Sequence, residues 1–241
     1  RGTTLGVVGE SGSGKSTLGR CILRLVEADA GEILWHDRDG SCTDVRALRD
    51  EALRRFRPRM QVIFQDPYHS LNPMRPVWQV VGEGLFIAGG LPAAAIRERA
   101  ASMLEAVGLT RAHLDRLPHA FSGGQRQRIA IARALIVEPE FIVCDEITSA
   151  LDTRTQAQVL DLLRALQART GVTLLFISHD LHTVAAMSHA VVVMHAGRIV
   201  ERGEPDRLFS HPHDEYTRSL VAAVPHPDPR HRTFRRRARS A

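Results

Sequence analysis

The segment Gly9–Thr17 reads Gly-Glu-Ser-Gly-Ser-Gly-Lys-Ser-Thr, a Gly-x4-Gly-Lys-Ser pattern set directly after the apolar run Thr4–Val8. Few patterns constrain a fold as tightly. A glycine-rich turn of this length wraps an anion only where a buried strand feeds it and a helix carries the chain away. Thr4–Val8 fits the strand, and a helix is expected from about Ser16 to Val26. Glycine lets the backbone curl until several N–H groups face one oxyanion, and the helix N-terminus adds its dipole. Gly9, Glu10, Ser11, Gly12, Ser13, Gly14, Lys15, Ser16 and Thr17 are therefore expected to cradle the triphosphate of ATP. Lys15 would reach the β- and γ-phosphates, and the Ser16 hydroxyl would ligate Mg²⁺. Lys15 is also the only lysine; every other one of the 32 basic side chains is arginine. A compact point charge suits phosphate where a planar fork is not required.

Beyond the cradle, Gly31–Trp35 reads as a strand, followed by a polar Asp/Arg/Gly stretch expected to be a surface loop, and Met60–Phe64 as a buried strand. Residues 75–138 change character: they are Ala-rich and helix-forming, broken at Gly89-Gly90, Pro92, Gly108 and Pro118. The α/β alternation then returns. Strands are expected at Phe141–Cys144 and Val172–Ile177, and helices at Arg154–Arg169 and Leu181–Ser188. A last strand, Ala190–Met194, turns at Ala196-Gly197 into Arg198–Glu201. Alternating strands and helices imply a largely parallel sheet with ligands at the strands' carboxyl ends.

Composition excludes several classes. No apolar run approaches the roughly 18 residues a membrane span needs, and nothing near Arg1 resembles a signal peptide. Three cysteines, Cys21, Cys42 and Cys144, show no metal-ligand spacing and are expected to be reduced thiols. The net charge of +5 belongs to the end of the chain. From Pro225 onward six arginines stand against Asp228, leaving residues 1–224 neutral. That Arg-rich stretch, 226–241, is expected to be a solvated, disordered tail. The opening Arg1-Gly2-Thr3-Thr4 has no Met and is expected to be the cut edge of a longer chain.

Two further segments carry chemistry. Phe141-Ile142-Val143-Cys144 buries a strand and ends in Asp145-Glu146, which places two acids at its carboxyl end. Asp145 suits Mg²⁺, and Glu146 suits orienting or deprotonating an attacking water. Ser122-Gly123-Gly124-Gln125 opens a helix and is a second anion site by the same physics as the first.

With these segments in this order, the chain resembles an ATP-binding-cassette (ABC) ATPase over residues 1–224, and Ser122–Gln125 is similar to that family's signature motif. The resemblance implies a P-loop parallel-sheet α/β core with an inserted helical subdomain and a short antiparallel β edge. Its parts would be the core at 1–74 and 139–204, the helical subdomain at 75–138, an extension at 205–225 and the tail at 226–241. It implies that two cassettes pair head to tail, so that Ser122, Gly123, Gly124 and Gln125 act on the γ-phosphate held by the other molecule. Gln65 corresponds to the glutamine that contacts Mg²⁺ and water and senses the transmembrane partner. Asp152, in Ser149-Ala150-Leu151-Asp152, corresponds to the loop crossing the dimer interface, and His179 to the switch histidine at the γ-phosphate. The resemblance thus makes Lys15, Gln65, Glu146 and His179 catalytic, and Ser16, Gln65 and Asp145 the Mg²⁺ set.

Two departures stand out. Ile147 replaces the usual proline after the catalytic Glu. The adenine-stacking aromatic lies upstream of the first strand in the family, and none stands in Arg1–Thr4, so weak nucleotide affinity is expected.

Gln65–Met74, Pro118–Phe121 and His211–Pro225 resemble the oligopeptide/dipeptide/nickel importer subfamily, although Asp214-Glu215 replaces the usual His-Pro before Tyr216. The implied partners are a second ATPase subunit, identical or not, transmembrane permease subunits, and indirectly an extracytoplasmic binding protein. The implied place is the cytoplasmic face of a bacterial plasma membrane, held peripherally. The competing class is a non-transport cassette acting on nucleic acid or ribosomes. Such proteins carry coiled coils, zinc modules or linkers that residues 75–138 lack, so nucleic acid is not an expected partner; only the Arg-rich tail points that way. A third reading is an isolated domain that binds ATP without turning it over.

Overall fold

A computed structural model describes residues 1–223. The expected disordered tail at 226–241 lies outside the described residues. In chain order the elements are β1 (Thr4–Val8), α1 (Lys15–Ile22), β2 (Leu34–His36), β3 (Cys42–Asp44), α2 (Asp50–Phe56), β4 (Met60–Ile63) and α3 (Pro67–Ser70). A helical stretch follows: α4 (Val77–Val81), α5 (Glu83–Ala88), α6 (Ala93–Ala106) and α7 (Gly123–Leu135). The chain then runs through β5 (Phe141–Asp145), α8 (Thr153–Thr170), β6 (Thr173–Ile177), α9 (Leu181–Met187), β7 (Ala190–His195), β8 (Arg198–Gly203), α10 (Pro205–Ser210) and α11 (Glu215–Ala222).

Six strands form one sheet in the order β4-β5-β6-β1-β7-β8, parallel except for β8, which pairs antiparallel with β7. Side chains on each strand alternate between two cores, as a period of two requires. Ile142, Cys144, Leu174, Phe176, Val191 and Val193 join the larger core with the helices α4–α9. Val143, Leu175, Ile177, Val192 and Met194 face the smaller one, with Leu23, Val45 and Phe56. Burying each of these large side chains contributes about 1.5–3 kcal/mol, so both faces of the sheet are fixed by packing.

The pairing register brings the site together. Val7 and Asp145 both lie opposite Ile177 of β6. The ladder runs on one step past the strands, with Ser178 N–H donating to Val7 O at 3.2 Å and Glu146 N–H to Ile177 O at 3.0 Å. The turns after β1, β5 and β6 therefore emerge side by side at the carboxyl edge.

Two local expectations change. The first helix stops at Ile22, because Arg24 takes φ 54° and the N–H groups of Leu25 and Val26 both turn back to Arg20 O. The polar stretch after β2 is not all loop. An Asp39-Gly40 turn returns the chain into β3, which pairs with β2, and α2 then follows. Its acidic first turn (Asp50, Glu51) and basic last turn (Arg54, Arg55) match the helix dipole, and Phe56 seals it edge-on against Trp35 at 5.2 Å. No helix among the described residues is long and apolar enough to cross a membrane.

Candidate nucleotide site

Gly9 leaves β1 with φ 150°, and a Cβ there would stand 2.1 Å from Met194 O of β7. Only glycine can start this turn. Gly14, at φ 98°, closes it and caps α1, so that Lys15 and Ser16 open the helix.

Lys15 is buried and folds back over the loop. Its Nζ donates to Gly9 O at 2.8 Å, to Glu10 O at 2.7 Å and to Ser13 Oγ at 3.4 Å. Burial pulls its ammonium below the ordinary lysine range, while Glu146 and Asp145 act to keep it charged. One residue further, Ser16 Oγ donates to Asp145 Oδ1 at 2.7 Å. A hydroxyl and one buried carboxylate are the hard-oxygen set with which Mg²⁺ joins substrate phosphates, and no group of three or more His, Cys, Asp or Glu offers an all-protein cage among the described residues. The residues present fit Mg²⁺.

Glu146 sits one residue past β5 with φ 48°, a strained conformation for a side chain-bearing residue and one typical of functional turns. It gathers two of the expected partners. Gln65 Nε2 donates to Glu146 Oε2 at 3.0 Å, and His179 Nδ1 lies 3.5 Å from Glu146 Oε1. Gln65 also reaches Ser149 Oγ at 3.4 Å. His179 is mostly exposed and Glu146 mostly covered, so the histidine faces outward over the acid. Ile147, the departure from the family pattern, is fully buried in the larger core and anchors this turn by packing.

The signature segment stands apart from this cluster. Ser122 caps α7 and forms a capping box with Gln125: Gln125 N–H donates to Ser122 Oγ at 3.4 Å, and Ser122 N–H to Gln125 Oε1 at 3.1 Å. Ser122 and Gly123 are exposed. Among the described residues no hydrogen bond joins 122–125 to 9–17 within the chain. Gly124 instead lies against α8, where a Cβ would stand 2.3 Å from Thr155 Cγ2. Asp152 caps the same helix by accepting from Thr155 N–H at 3.0 Å, and the Thr155 hydrogen bonds hold its carboxyl below the usual range.

Sequence reasoning missed one contact at the loop: Glu10 N–H donates to the hydroxyl of Tyr216 on α11, 206 residues away. No spacing rule could have found it.

The family model described as ABC transporter matches residues 1–149. This chain belongs to that family. A putative peptide import ATP-binding protein of Brucella ovis is 51% identical to it over 235 residues, 98% of this chain and 73% of that protein. The oligopeptide transport ATP-binding protein OppF of Bacillus subtilis is 50% identical over 230 residues, 95% of this chain and 74% of OppF. Among solved structures, a dimeric ATP-binding cassette in a post-hydrolysis state bound to ADP and Pi superposes with a TM-score of 0.71 at 28% identity, covering 85% of this chain and 86% of the other. The architecture is that of an ABC ATPase, and the chain is an ATP-hydrolysing enzyme of that type.

Proposed function

We propose that this ABC ATPase is the ATP-hydrolysing subunit of a peptide importer and that Gly9–Thr17 holds the triphosphate. One observation carries the site: Lys15, Ser16 with Asp145, and Glu146 with Gln65 and His179 converge at one edge of the sheet from four separate turns. The names of relatives near 50% identity support peptides as cargo.

In this reading Lys15 leaves the Gly9 and Glu10 carbonyls to meet the β- and γ-phosphates, exchanging two carbonyl partners for charged ones. Ser16 and Asp145 hold Mg²⁺, which when bound neutralises phosphate charge. Glu146 takes a proton from water as the water oxygen bonds to the γ-phosphorus and the bond to the β,γ-bridging oxygen breaks, leaving ADP and phosphate. Gln65 holds the Glu146 carboxylate toward that water, and His179 contacts the γ-phosphate from the exposed side. Charge on the transferring group is met by the Ser122–Gln125 segment of a second cassette, which explains why that segment is exposed and removed from the cradle of its own chain.

The same reading pairs this chain with a second cassette and with permease subunits at the cytoplasmic face of the membrane, and makes residues 75–138 the subdomain that meets the permease. The test is ATP hydrolysis measured for the chain alone and after reconstitution with its permease and binding protein in vesicles. Peptide-stimulated hydrolysis and peptide accumulation are expected; hydrolysis indifferent to the permease would refute the importer role.

A further inference from the structure

The chain returns to its phosphate loop after the sheet is complete. Glu10 N–H donates to Tyr216 Oη at 2.9 Å. That N–H and the carbonyl of Gly9 belong to one peptide unit, and the Gly9 oxygen accepts from Lys15 Nζ at 2.8 Å. A single peptide plane is thus held by a phenol on one side and by the only lysine on the other.

Tyr216 reaches this position through a chain of specific contacts. Glu201 of β8 accepts from the N–H groups of His213 at 2.9 Å and Asp214 at 3.1 Å. Asp214 then caps α11, accepting from Tyr216 N–H at 2.9 Å and Thr217 N–H at 3.3 Å. His195, at the end of β7, packs against the Tyr216 ring with centroids 3.9 Å apart. The strand, the cap and the ring contact fix the phenol before it meets Glu10. Asp214, which stands where the resemblance places His, supplies the cap that holds this turn.

We propose that Tyr216 is a positioning residue for nucleotide binding: its hydroxyl fixes the Gly9–Glu10 peptide, and through it the first turn of the phosphate loop. This rests on the reading that Gly9–Thr17 holds the triphosphate. A loop held in its binding shape loses less freedom when the ligand arrives, so the contact tightens ATP binding.

The test titrates a ribose-labelled fluorescent ATP, with Mg²⁺, into the purified chain and its Tyr216→Phe, Glu201→Gln and Lys15→Ala variants. Tyr216→Phe keeps the ring and removes one hydrogen bond; Kd should rise about three- to tenfold, the span one net hydrogen bond carries. The Glu10 amide resonance should shift while the remaining amide dispersion is kept. Glu201→Gln, which loosens the clamp and leaves the phenol intact, should raise Kd in the same direction. An unchanged or lower Kd in Tyr216→Phe overturns the proposal, as does a higher Kd accompanied by loss of amide dispersion throughout. Lys15→Ala separates the two readings. If it loses binding while Tyr216→Phe does not, only the role of Tyr216 falls; if it binds as tightly as the native chain, the cradle reading falls and this proposal with it.

Discussion

Gln65 and Glu146 are joined side chain to side chain at 3.0 Å although 81 residues separate them. The sheet explains the contact: β4 and β5 are parallel neighbours with Ile63 opposite Cys144, so the residues just past each strand end emerge together. Everything inserted between them, α3 to α7, hangs on these two ends.

Glu146→Gln keeps the shape and the Gln65 contact but removes the proposed base. Hydrolysis is expected to fall by at least about 100-fold, within the usual range for a lost general base. Binding should survive, so ATP should hold two chains together; size exclusion with light scattering in the presence of ATP reads the dimer. Hydrolysis within a few-fold of native would remove Glu146 from the role.

The close approach of Gly124 to Thr155 makes a paired prediction. Gly124→Ala drives a methyl into Thr155 Cγ2, at a cost of about 1–3 kcal/mol for overpacking. For a chain of this size that is roughly 2–4 °C in Tm per kcal/mol. Thr155→Ser deletes the obstructing methyl while keeping the hydroxyl and the N–H that Asp152 accepts from. The double variant should regain most of the loss in a thermal melt, and simple additivity of the two changes would show that the contact is unimportant.

The parts of this protein legible in its sequence were those written in one stretch. Gly9–Thr17, the apolar runs of β1, β5, β6 and β7, and Asp145-Glu146 each carry their own signal, because strand, turn and helix there are consecutive. β3 and α2 were hidden because their stability comes from partners elsewhere: β3 from β2, and α2 from Phe56 against Trp35. The helix after the loop ends at Ile22, short of its apolar pattern, because Leu25 and Val26 lie exposed past the turn at Arg24. The contact of Tyr216 with Glu10 had no local trace, since it depends on β8, the Glu201 clamp and the Asp214 cap acting in series.

The three thiols should separate by reactivity. Cys42 is exposed, Cys21 partly covered and Cys144 fully buried in β5. Burial, reinforced by the negative charge of Asp145, pushes the Cys144 thiol far above the usual thiol range, and the neutral thiol is not the nucleophile. Under native conditions at pH 8 a maleimide should label Cys42 first, Cys21 more slowly and Cys144 only after denaturation. Peptide mass mapping over time reads the order, and native labelling of Cys144 at the rate of Cys42 would contradict the buried strand.

Glu201 gives the docking of α11 a pH dependence with a definite sign. Burial alone would push its carboxyl up, but the N–H groups of His213 and Asp214 outweigh burial and hold it below its ordinary value. A group whose folded value is depressed contributes stability that is present above its unfolded value, about 4.3, and is lost as pH falls through the folded one. Native chain and Glu201→Gln should therefore differ in Tm by a constant gap between pH 8 and 5, with the native chain the more stable. As pH falls below the unfolded value the gap should narrow, and it should close once the native carboxyl takes up its proton. Protection of the Tyr216 and Thr217 amides, which Asp214 caps, taken relative to their intrinsic exchange rates, should fall over the same interval in the native chain and be low throughout in the variant. A gap that persisted undiminished to pH 3 would mean that Glu201 holds the extension by shape and not by charge.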